Sequence, residues 1–598
     1  MGSSLILISS IILISLIFFS TASDVLESIV VTTKNGPYRG ERRGYYYAFE
    51  GIRYAEPPIS SLRFADPVPY TAYHNDIWNV TVPGDECIQY DGFMEGIHGS
   101  EDCLFLNVYT KQPNEFDAKL PVVVHIHGGG FIFGQGVEYG PEHLMQRNVV
   151  YVNFNYRLGI MGFLSASTVG IAGVKGISGN MGLKDQVMLL KWVQANIQSF
   201  GGDPSNVTLV GWSAGGASVQ FHYVSPMSKG LFARGISHSG SMFNPWTWQT
   251  IPEWRFYEVC LQLSCVNDEY PFTKRIECLR NVSAEKLVNL TIDPLFQPFH
   301  GNPFDPFGVV LEQDPTNDNP FLSEKPEEII KKGAVQKLPL IISGVRDEGY
   351  YPGAKFLAHP EIFDEINTKF DNVLPSILGF PAFSEENNKV LGITKIIRER
   401  YLGKVPVKQE TFEYFVKILT DYLYLSGFHK AIDQLSPIMP TYVYGFDYKT
   451  TYGFGEAISG QNKSKGIAHG EDIVLIYDTS VRKNHPFTLE EQTVMGHLLD
   501  IYESFAHTGI PKINGTKLNQ TTSTEAITFT HIKGPNNFTT ITKNLDKFTD
   551  KFFWYKIQEL LDNSLPNATS SANQEKSIFL LNLMAFSFIP PIIIQIYN

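Results

Sequence analysis

Residues Gly211-Trp212-Ser213-Ala214-Gly215 follow the pattern G-x-S-x-G, in which a strand turns sharply into a helix and the serine projects from the turn. The glycines are needed because a missing side chain lets the strand and the helix approach each other closely. The serine hydroxyl is then placed to act as a nucleophile. Such a pentapeptide arises by chance roughly 0.3 times in a chain of this length, so an ordinary turn is the alternative for this motif alone.

A second feature is the run His127-Gly128-Gly129-Gly130-Phe131, which follows an apolar segment. Glycines directly after a buried strand can point backbone N–H groups into a cavity, because no side chain obstructs them. Such donors stabilise the oxyanion of a tetrahedral intermediate, and the loss of one donor costs about 3 kcal/mol. The alternative is a flexible glycine turn, but the combination with the serine motif favours the catalytic interpretation.

A serine hydroxyl is a weak nucleophile, so it needs a general base, and the base needs a carboxylate that orients it. The chain order expected for a serine on such a turn is serine, acid, histidine. Asp347 and Glu348 follow the apolar run 338–343, and His469 lies after the run 441–446. Histidines and acidic pairs are common on protein surfaces, but this order and these positions after strands indicate nucleophilic catalysis.

The elements that would position these residues are short β-branched runs that alternate with longer helical stretches. This pattern is typical of an α/β sheet covered by helices. In open α/β sheets, functional groups gather beyond the carboxyl ends of the strands, and each candidate residue above lies at such an end. The predicted strands are 121–127, 149–155, 207–211, 338–343 and, more weakly, 441–446.

The composition indicates one large globular core and disfavours several other classes of protein. Of 598 residues, 43% are hydrophobic and only 18% are charged. The 48 basic and 61 acidic residues give a formal charge of −13, which disfavours binding to nucleic acid or to anionic lipid. The five cysteines lack the paired spacings of a zinc site, so we expect no metal. No internal repeat or long linker interrupts residues 24–560, and we predict a single domain there.

Several longer segments, together with the serine motif, resemble the type-B carboxylesterase/cholinesterase family of α/β-hydrolases. The resemblance covers roughly residues 30–555. It implies the α/β-hydrolase fold, in which helices flank a large and mostly parallel central sheet. The segments that carry it are 49–58 (FEGIRYAEPP) with 62–64 (LRF), 101–109 (EDCLFLNVY), 155–159 (NYRLG), 179–186 (GNMGLKDQ), 211–216 (GWSAGG) and 505–509 (FAHTG).

The resemblance implies a catalytic triad in which Ser213 is the nucleophile, His469 is the general base and then acid, and Glu348 is the orienting carboxylate. It also implies that backbone N–H groups form the oxyanion hole. These N–H groups belong to Gly129, Gly130 and Ala214.

Other positions match the family outside the triad. Ser239 corresponds to a second serine near the histidine, and Trp246 corresponds to a position in the acyl pocket. The resemblance further implies two short-loop disulfides, Cys87–Cys103 and Cys265–Cys278, which leave Cys260 as a buried and inert thiol.

The sequence departs from the family pattern at two places. Trp212 stands before the serine, where many members carry Glu, and this affects the expected substrate preference rather than catalysis. Cholinesterases place a choline-binding tryptophan in the loop of the first disulfide, but residues 87–103 contain no Trp. Tyr90 and Phe93 are weaker partners for a quaternary ammonium, so hydrolysis of acetylcholine is not expected.

The expected function is that of a serine carboxylesterase, which forms an acyl-enzyme on Ser213 and hydrolyses it with water activated by His469. Its partners are a small-molecule ester and water, with no metal or organic cofactor. The aromatic content of 13% favours an apolar ester of dietary, xenobiotic or hormonal origin. The alternative is a catalytically weak or inactive adhesion or sequestration protein of the same fold, although an adhesion module has no physical need for an intact triad.

Both ends of the chain carry apolar runs that predict processing in the secretory pathway. Small residues follow the run 5–19, which is typical of a signal peptide over residues 1–23. The alternative is a membrane anchor, but a span needs about 20 apolar residues. A polar stem at 561–577 precedes a hydrophobic tail at 578–598, as in a GPI-attachment signal. A spanning helix or an apolar extension of the fold is the alternative for the tail.

We therefore expect an extracellular protein that is secreted or tethered to the outer cell surface by a GPI anchor. Asparagines that begin N-x-S/T triplets are candidate glycan sites on such a protein. They are Asn79, Asn206, Asn281, Asn289, Asn462, Asn514, Asn519, Asn537 and Asn567.

Overall fold

The fold is known from a computed structural model, which describes eleven segments of the chain. These are residues 27–91, 96–166, 176–249, 251–266, 271–292, 307–313, 317–380, 387–461, 466–522, 526–544 and 551–562. The predicted signal peptide, the hydrophobic tail and most of the stem lie outside the described residues, as do Phe93, Asn462 and Asn567. Among the described helices, none combines the length and the apolar character that crossing a membrane requires.

A large sheet runs through the described part of the chain. Twelve of its strands follow the order β1-β2-β3-β7-β9-β8-β10-β11-β12-β13-β17-β18, while β4 pairs with β2 and β16 pairs with β13. The strands are β1 (Ser28–Thr33), β2 (Gly36–Arg43), β3 (Tyr46–Arg53), β4 (Trp78–Asn79), β5 (Gln89–Asp91), β6 (Gly96–His98), β7 (Phe105–Thr110), β8 (Leu120–Ile126), β9 (Val150–Phe154), β10 (Gly202–Trp212), β11 (Arg234–His238), β12 (Leu340–Val345), β13 (Thr441–Phe446), β14 (Lys512–Ile513), β15 (Thr516–Lys517), β16 (Gln520–Thr521), β17 (Ala526–Gly534) and β18 (Asn537–Asn544).

The middle of this sheet, from β9 through β8, β10, β11, β12 and β13 to β17, is parallel. Its flanks, from β1 to β9 on one side and β18 on the other, are antiparallel. Parallel neighbours place their carboxyl ends along one edge. The loops that follow β8, β10, β12 and β13 therefore meet at the same edge of the sheet.

The predicted strands are present, with one shift of a boundary. β8, β9, β12 and β13 lie within two residues of the predicted bounds, because they are buried aliphatic runs of the kind that central parallel strands contain. β10 begins at Gly202, before the predicted start at residue 207. Its first half is polar and its pairing with β8 is irregular between Gly202 and Val207, so no apolar pattern marks it in the sequence.

Helices cover both faces of the sheet. They are α1 (Gly159–Phe163), α2 (Met181–Asn196), α3 (Ala214–Val224), α4 (Pro252–Gln262), α5 (Phe272–Asn281), α6 (Ala284–Asn289), α7 (Pro326–Lys331), α8 (Tyr350–Ala358), α9 (Ile362–Thr368), α10 (Phe370–Leu378), α11 (Asn387–Tyr401), α12 (Phe412–Leu419), α13 (Ser426–Leu435), α14 (Phe454–Ser459), α15 (Ile473–Ile476), α16 (Leu489–Thr508) and α17 (Lys551–Asp562). A π-helical segment, Thr420–Leu425, connects α12 to α13.

The core lies on both faces of the sheet because successive side chains of a strand point in opposite directions. Val122 and Val124 of β8 pack in the core on one face, whereas Val123 packs in the core on the other. A third cluster fills the helical layer formed by α8 to α12, the π-helical segment and α17. In that layer Trp554 of α17 packs on Tyr422 with ring centroids 4.9 Å apart, and the helix ends at Asp562, just past the predicted domain boundary at residue 560.

Two disulfides, Cys87–Cys103 and Cys265–Cys278, are present, in agreement with the pairing that the family pattern implies. Cys260 is a free and fully buried cysteine. Burial raises the pKa of its thiol to about 12. Since the thiolate is the reactive form of cysteine, this thiol is inert near neutral pH.

Candidate active site

Ser213 lies at a sharp turn between β10, which ends at Trp212, and α3, which begins at Ala214. Its backbone has φ 58° and ψ −121°, a conformation that is unfavourable for a residue with a side chain. Two glycines make the turn possible: a Cβ on Gly211 would collide with the carbonyl oxygen of Gly215, and one on Gly215 would collide with that of Ile126. The serine is 8% exposed, at the carboxyl edge of the sheet.

The glycine turn after β8 lies against the serine, since a Cβ on Gly128 would be 3.1 Å from the Cβ of Ser213. Gly129 has φ 101°, and a Cβ there would collide with the carbonyl oxygen of Phe133. The carbonyl of Gly129 accepts hydrogen bonds from the N–H groups of Ile132 and Phe133. The N–H groups of Gly129 and Gly130 have no acceptor among the described residues.

Ala214 offers a third backbone donor beside the serine. It is the first residue of α3, and the first N–H groups of a helix have no intrahelical acceptor. The amino end of a helix also carries a partial positive charge. The three N–H groups of Gly129, Gly130 and Ala214 can therefore stabilise a negative oxygen that develops next to Ser213.

His469 and Glu348 form a buried hydrogen-bonded pair in the loops that follow β13 and β12. His469 Nδ1 lies 2.5 Å from Glu348 Oε2, and each side chain is 1% exposed. The other carboxylate oxygen, Oε1, accepts from the backbone N–H of Val345 at 2.9 Å. A carboxylate only accepts, so the imidazole proton resides on Nδ1 and Nε2 is left as a proton acceptor.

His469 Nε2 is buried and has no hydrogen-bond partner among the described residues, so it is not bonded to the Ser213 hydroxyl. The imidazole packs on Trp212, the residue before the serine, with ring centroids 4.9 Å apart, so the histidine loop contacts the segment that carries Ser213. Hydrogen bonds of this kind are often long in a site without substrate and shorten in the reacting complex. The arrangement can carry a proton from a serine hydroxyl to an imidazole.

Two tyrosines that sequence reasoning missed also contact the imidazole. The ring of Tyr424 is 4.7 Å from that of His469, and the ring of Tyr351 is 5.3 Å away at an interplanar angle of 67°. Burial raises the pKa of both phenols, and the charge of Glu348 raises that of Tyr424 further. Both rings therefore stay neutral over the pH range in which histidine titrates.

The π-helical segment explains how Tyr424 reaches the site. Its widened turn leaves backbone carbonyls free of the usual helical bonds, and such segments are frequent at functional sites. The carbonyl of Leu423 accepts from Asn244 Nδ2 at 2.8 Å and from Trp246 Nε1 at 2.7 Å. The same contacts fix Trp246, whose ring lies 6.4 Å from those of Phe131 and Tyr424.

Ser239 lies on the turn after β11, next to the turn that carries Ser213. Its backbone has φ 49°, and its N–H donates to the carbonyl of Ser343 at 2.8 Å. A Cβ on the following Gly240 would collide with the carbonyl oxygen of Ser213, so the two turns are in direct backbone contact. The Ser239 hydroxyl is buried without a partner among the described residues.

The loop closed by Cys87–Cys103 also supports the site, and nothing in the sequence predicts this contact. Gln89 Oε1 accepts from the N–H of Gly134 at 2.6 Å, and Gln89 Nε2 donates to the carbonyl of Gly134 at 3.2 Å. These bonds attach the disulfide loop to the turn that carries Gly129 and Gly130. In the described part of the chain, no group of three or more His, Cys, Asp or Glu residues could hold a metal ion.

Comparisons with known proteins agree with this architecture. A model of the carboxylesterase family matches residues 27–553. Venom carboxylesterase-6 of Apis mellifera is 35% identical over 543 residues, which are 88% of this chain and 94% of the relative. Juvenile hormone esterase of Tribolium castaneum is 31% identical over 554 residues, 87% of this chain and 91% of the relative. The crystal structure of juvenile hormone esterase from Manduca sexta, with OTFP covalently attached, matches with a TM-score of 0.76 and 27% identity, covering 89% of this chain and all of that one.

Proposed function

The chain belongs to the carboxylesterase family, and its relatives are named carboxylesterases and carboxylic ester hydrolases, so we propose that it hydrolyses esters through an acyl-enzyme on Ser213. In this proposal His469 is the general base and Glu348 orients it. The family and the α/β-hydrolase fold, both expected from the sequence, are confirmed. The roles of the individual residues are the proposal.

The proposed reaction uses the groups of the site in turn. As Ser213 Oγ attacks the ester carbon, its proton moves to His469 Nε2, and the carbonyl electron pair moves onto oxygen. The N–H groups of Gly129, Gly130 and Ala214 stabilise that oxyanion, at about 3 kcal/mol for a donor. His469 then protonates the leaving alcohol. A water molecule activated by His469 releases the acid and restores the serine.

The observation that carries this proposal is the state of the imidazole. Nδ1 is held by a buried carboxylate at 2.5 Å, whereas Nε2, the nitrogen that must take the proton, has no partner among the described residues. Unpaired ring nitrogens also occur at other buried histidines, such as both nitrogens of His125, so what marks His469 is the combination of a buried carboxylate on Nδ1 with an unpaired Nε2. The ring that carries this nitrogen packs on Trp212, the residue before the strained Ser213.

We further propose that the substrate is a neutral and apolar ester. The rings of Trp246, Phe131, Tyr351 and Tyr424 border the site, and rings of this kind bind apolar groups. Among the described groups that contact His469, Glu348 alone carries a charge, and His469 covers it. A butyrate ester of a neutral phenol should therefore be a far better substrate than an ester of choline. The proposal does not distinguish dietary, xenobiotic and hormonal esters of this class.

A fluorophosphonate probe tests the proposed nucleophile. Peptide mapping should locate the adduct on Ser213, and Ser213→Ala should abolish both labelling and hydrolysis of a p-nitrophenyl ester while the melting temperature stays near that of the wild type. Ser205→Ala, a change at an exposed serine of β10, is the matched control and should leave both unchanged. An adduct on another serine would refute the assignment. Labelling without turnover would indicate a sequestration protein.

Extracellular localisation is part of the proposal. Two disulfides support it, because they persist in oxidising compartments. Six of the glycan candidates are exposed: Asn79, Asn281, Asn289, Asn514, Asn519 and Asn537. Asn206 is less suitable, since it is half-buried and its side chain accepts a hydrogen bond from Arg234. If the tail is exchanged for a GPI anchor, phosphatidylinositol-specific phospholipase should release the protein from cells, whereas retention would favour a spanning helix.

A further inference from the structure

Trp212 occupies the position between the last strand residue and the proposed nucleophile, and its indole is buried beneath the site. It is 3% exposed, and its Nε1 has no hydrogen-bond partner among the described residues. Burial of an indole without a partner for its N–H has a free-energy cost that a leucine or phenylalanine would avoid. The residue is therefore not an optimal choice for the core alone.

The indole is in contact with the loop that carries the proposed base. Its ring lies 4.9 Å from that of His469 at an interplanar angle of 35°, and 5.1 Å from that of Phe454 at 26°. Gly470 has φ 87°, and a Cβ there would be 2.7 Å from Cζ2 of Trp212. The backbone of the histidine loop thus rests directly on the indole, and the indole fixes how closely the loop approaches Ser213.

The remaining groups around the imidazole come from three other elements. Glu348 faces Nδ1 from the loop after β12, Tyr351 contacts the ring from α8, and Tyr424 contacts it from the π-helical segment. In its own loop, the carboxylate of Glu471 is bound by Lys449 and Thr450, and that of Asp472 lies 3.4 Å from His238 Nδ1. The imidazole is therefore enclosed by three aromatic rings and one carboxylate.

We propose that Trp212 is a positioning residue for ester hydrolysis, which holds His469 beside Ser213 and stabilises the imidazolium formed during the reaction. The positive charge appears when Nε2 takes the serine proton, as the bond between Oγ and the ester carbon forms. A cation near the π face of a ring is attracted by it, and Trp gives the strongest attraction of the aromatic residues. This inference rests on the proposed function.

The test compares Trp212→Leu and Trp212→Phe with the wild type, using a neutral p-nitrophenyl ester. For Trp212→Leu we expect a fall in kcat of about 10- to 100-fold with KM changed less than about threefold, because the lost interaction is made in the transition state. The acid limb of the pH profile of kcat/KM should move to lower pH by roughly 0.5 to 1 unit, since the charged imidazole loses stabilisation. Trp212→Phe keeps a ring and should show smaller changes in the same directions.

Trp192→Leu is the matched control. Trp192 is also a buried indole whose N–H has no described partner, but it packs on the other face of the sheet, against Phe200. The Trp192→Leu variant should be less stable than the wild type, but the pH profile of its kcat/KM should be unchanged. The inference would be overturned if Trp212→Phe and Trp212→Leu both kept the kcat and the acid limb of the wild type. If Trp212→Leu does not fold, the measurements on Trp212→Phe are the test. Fluorophosphonate labelling of the wild type separates the two proposals, because failure to label Ser213 would refute the proposed function itself.

Discussion

The substitution Glu348→Gln tests the proposed triad most sharply, because the hydrogen-bond partners of the carboxylate determine the orientation of the amide that replaces it. Oε1 of Glu348 accepts from the N–H of Val345 at 2.9 Å, and Oε2 faces His469 Nδ1 at 2.5 Å. An amide has one oxygen and one NH₂ group. If the NH₂ group faced Val345, two donors would meet in a buried site, at a cost of about 1 to 3 kcal/mol.

We therefore expect the amide oxygen of the variant to stay on the Val345 N–H, which leaves the NH₂ group facing His469. Nδ1 must then accept a hydrogen bond, which places the imidazole proton on Nε2. In that tautomer Nε2 cannot take the proton of Ser213. The same type of change in serine triads lowers kcat about 10⁴-fold, which corresponds to about 5 kcal/mol of transition-state stabilisation.

The assay is steady-state hydrolysis of a p-nitrophenyl ester, with circular dichroism to verify that the variant is folded. Asp347→Asn is the matched control in the same loop. Asp347 Oδ2 accepts from the N–H of Ile467 at 2.9 Å, and the oxygen of an asparagine can retain that bond. We expect Asp347→Asn to keep kcat within a few-fold of the wild type. A folded Glu348→Gln enzyme with more than a tenth of the wild-type kcat would refute the reasoning.

Two further predictions concern the oxyanion hole and acid stability. Gly129→Ala should lower kcat about 10²- to 10³-fold in the same assay. The reason is that a Cβ at φ 101° collides with the carbonyl of Phe133 and displaces an N–H donor. A near-wild-type kcat would exclude Gly129 from the oxyanion hole. Burial lowers the pKa of His222 to about 3, because the folded protein favours the neutral imidazole. The contribution of this neutral imidazole to stability is complete above the unfolded pKa of about 6.5 and is lost as the pH falls towards 3. Between about pH 7 and pH 5 the free energy of unfolding in urea should therefore fall by about 2 kcal/mol more in the wild type than in His222→Gln, and equal losses would contradict this account.

The proposed catalytic residues can be predicted from the sequence because each of them is marked locally. Ser213 lies in a G-x-S-x-G pattern that is typical of a strand-to-helix turn, and Gly129 belongs to the glycine run after a buried strand. Glu348 and His469 also follow recognisable strands, so the rule that parallel strands end at one edge brings them together. The central strands are also marked locally, because a strand that is buried on both faces contains an uninterrupted aliphatic run.

The sequence contains no comparable local signal for the residues that surround the proposed triad. Tyr424 reaches the imidazole only because a π-helical segment widens the helix before α13, and nothing in its sequence neighbourhood distinguishes it from other core tyrosines. Gln89 bonds to Gly134 in the turn that carries Gly129 and Gly130, although Gln89 and Gly134 are 45 residues apart in the sequence. Such contacts depend on the three-dimensional packing of distant segments, which periodicity and spacing do not encode.

The strained backbone of Ser213 shows why those unmarked residues matter. A conformation of this kind costs of order 1 to 3 kcal/mol and persists only where the surroundings enforce it. The N–H of Ser213 donates to the carbonyl of His238 at 2.8 Å, and its carbonyl accepts from the N–H of Ala217 at 2.9 Å. His238 is in turn fixed beneath the sheet edge by Tyr502 and Ser343, each at 2.7 Å from a ring nitrogen. The proposed reactivity of the serine thus depends on a buried polar cluster behind the turn, and changes in that cluster should lower kcat by relaxing the turn.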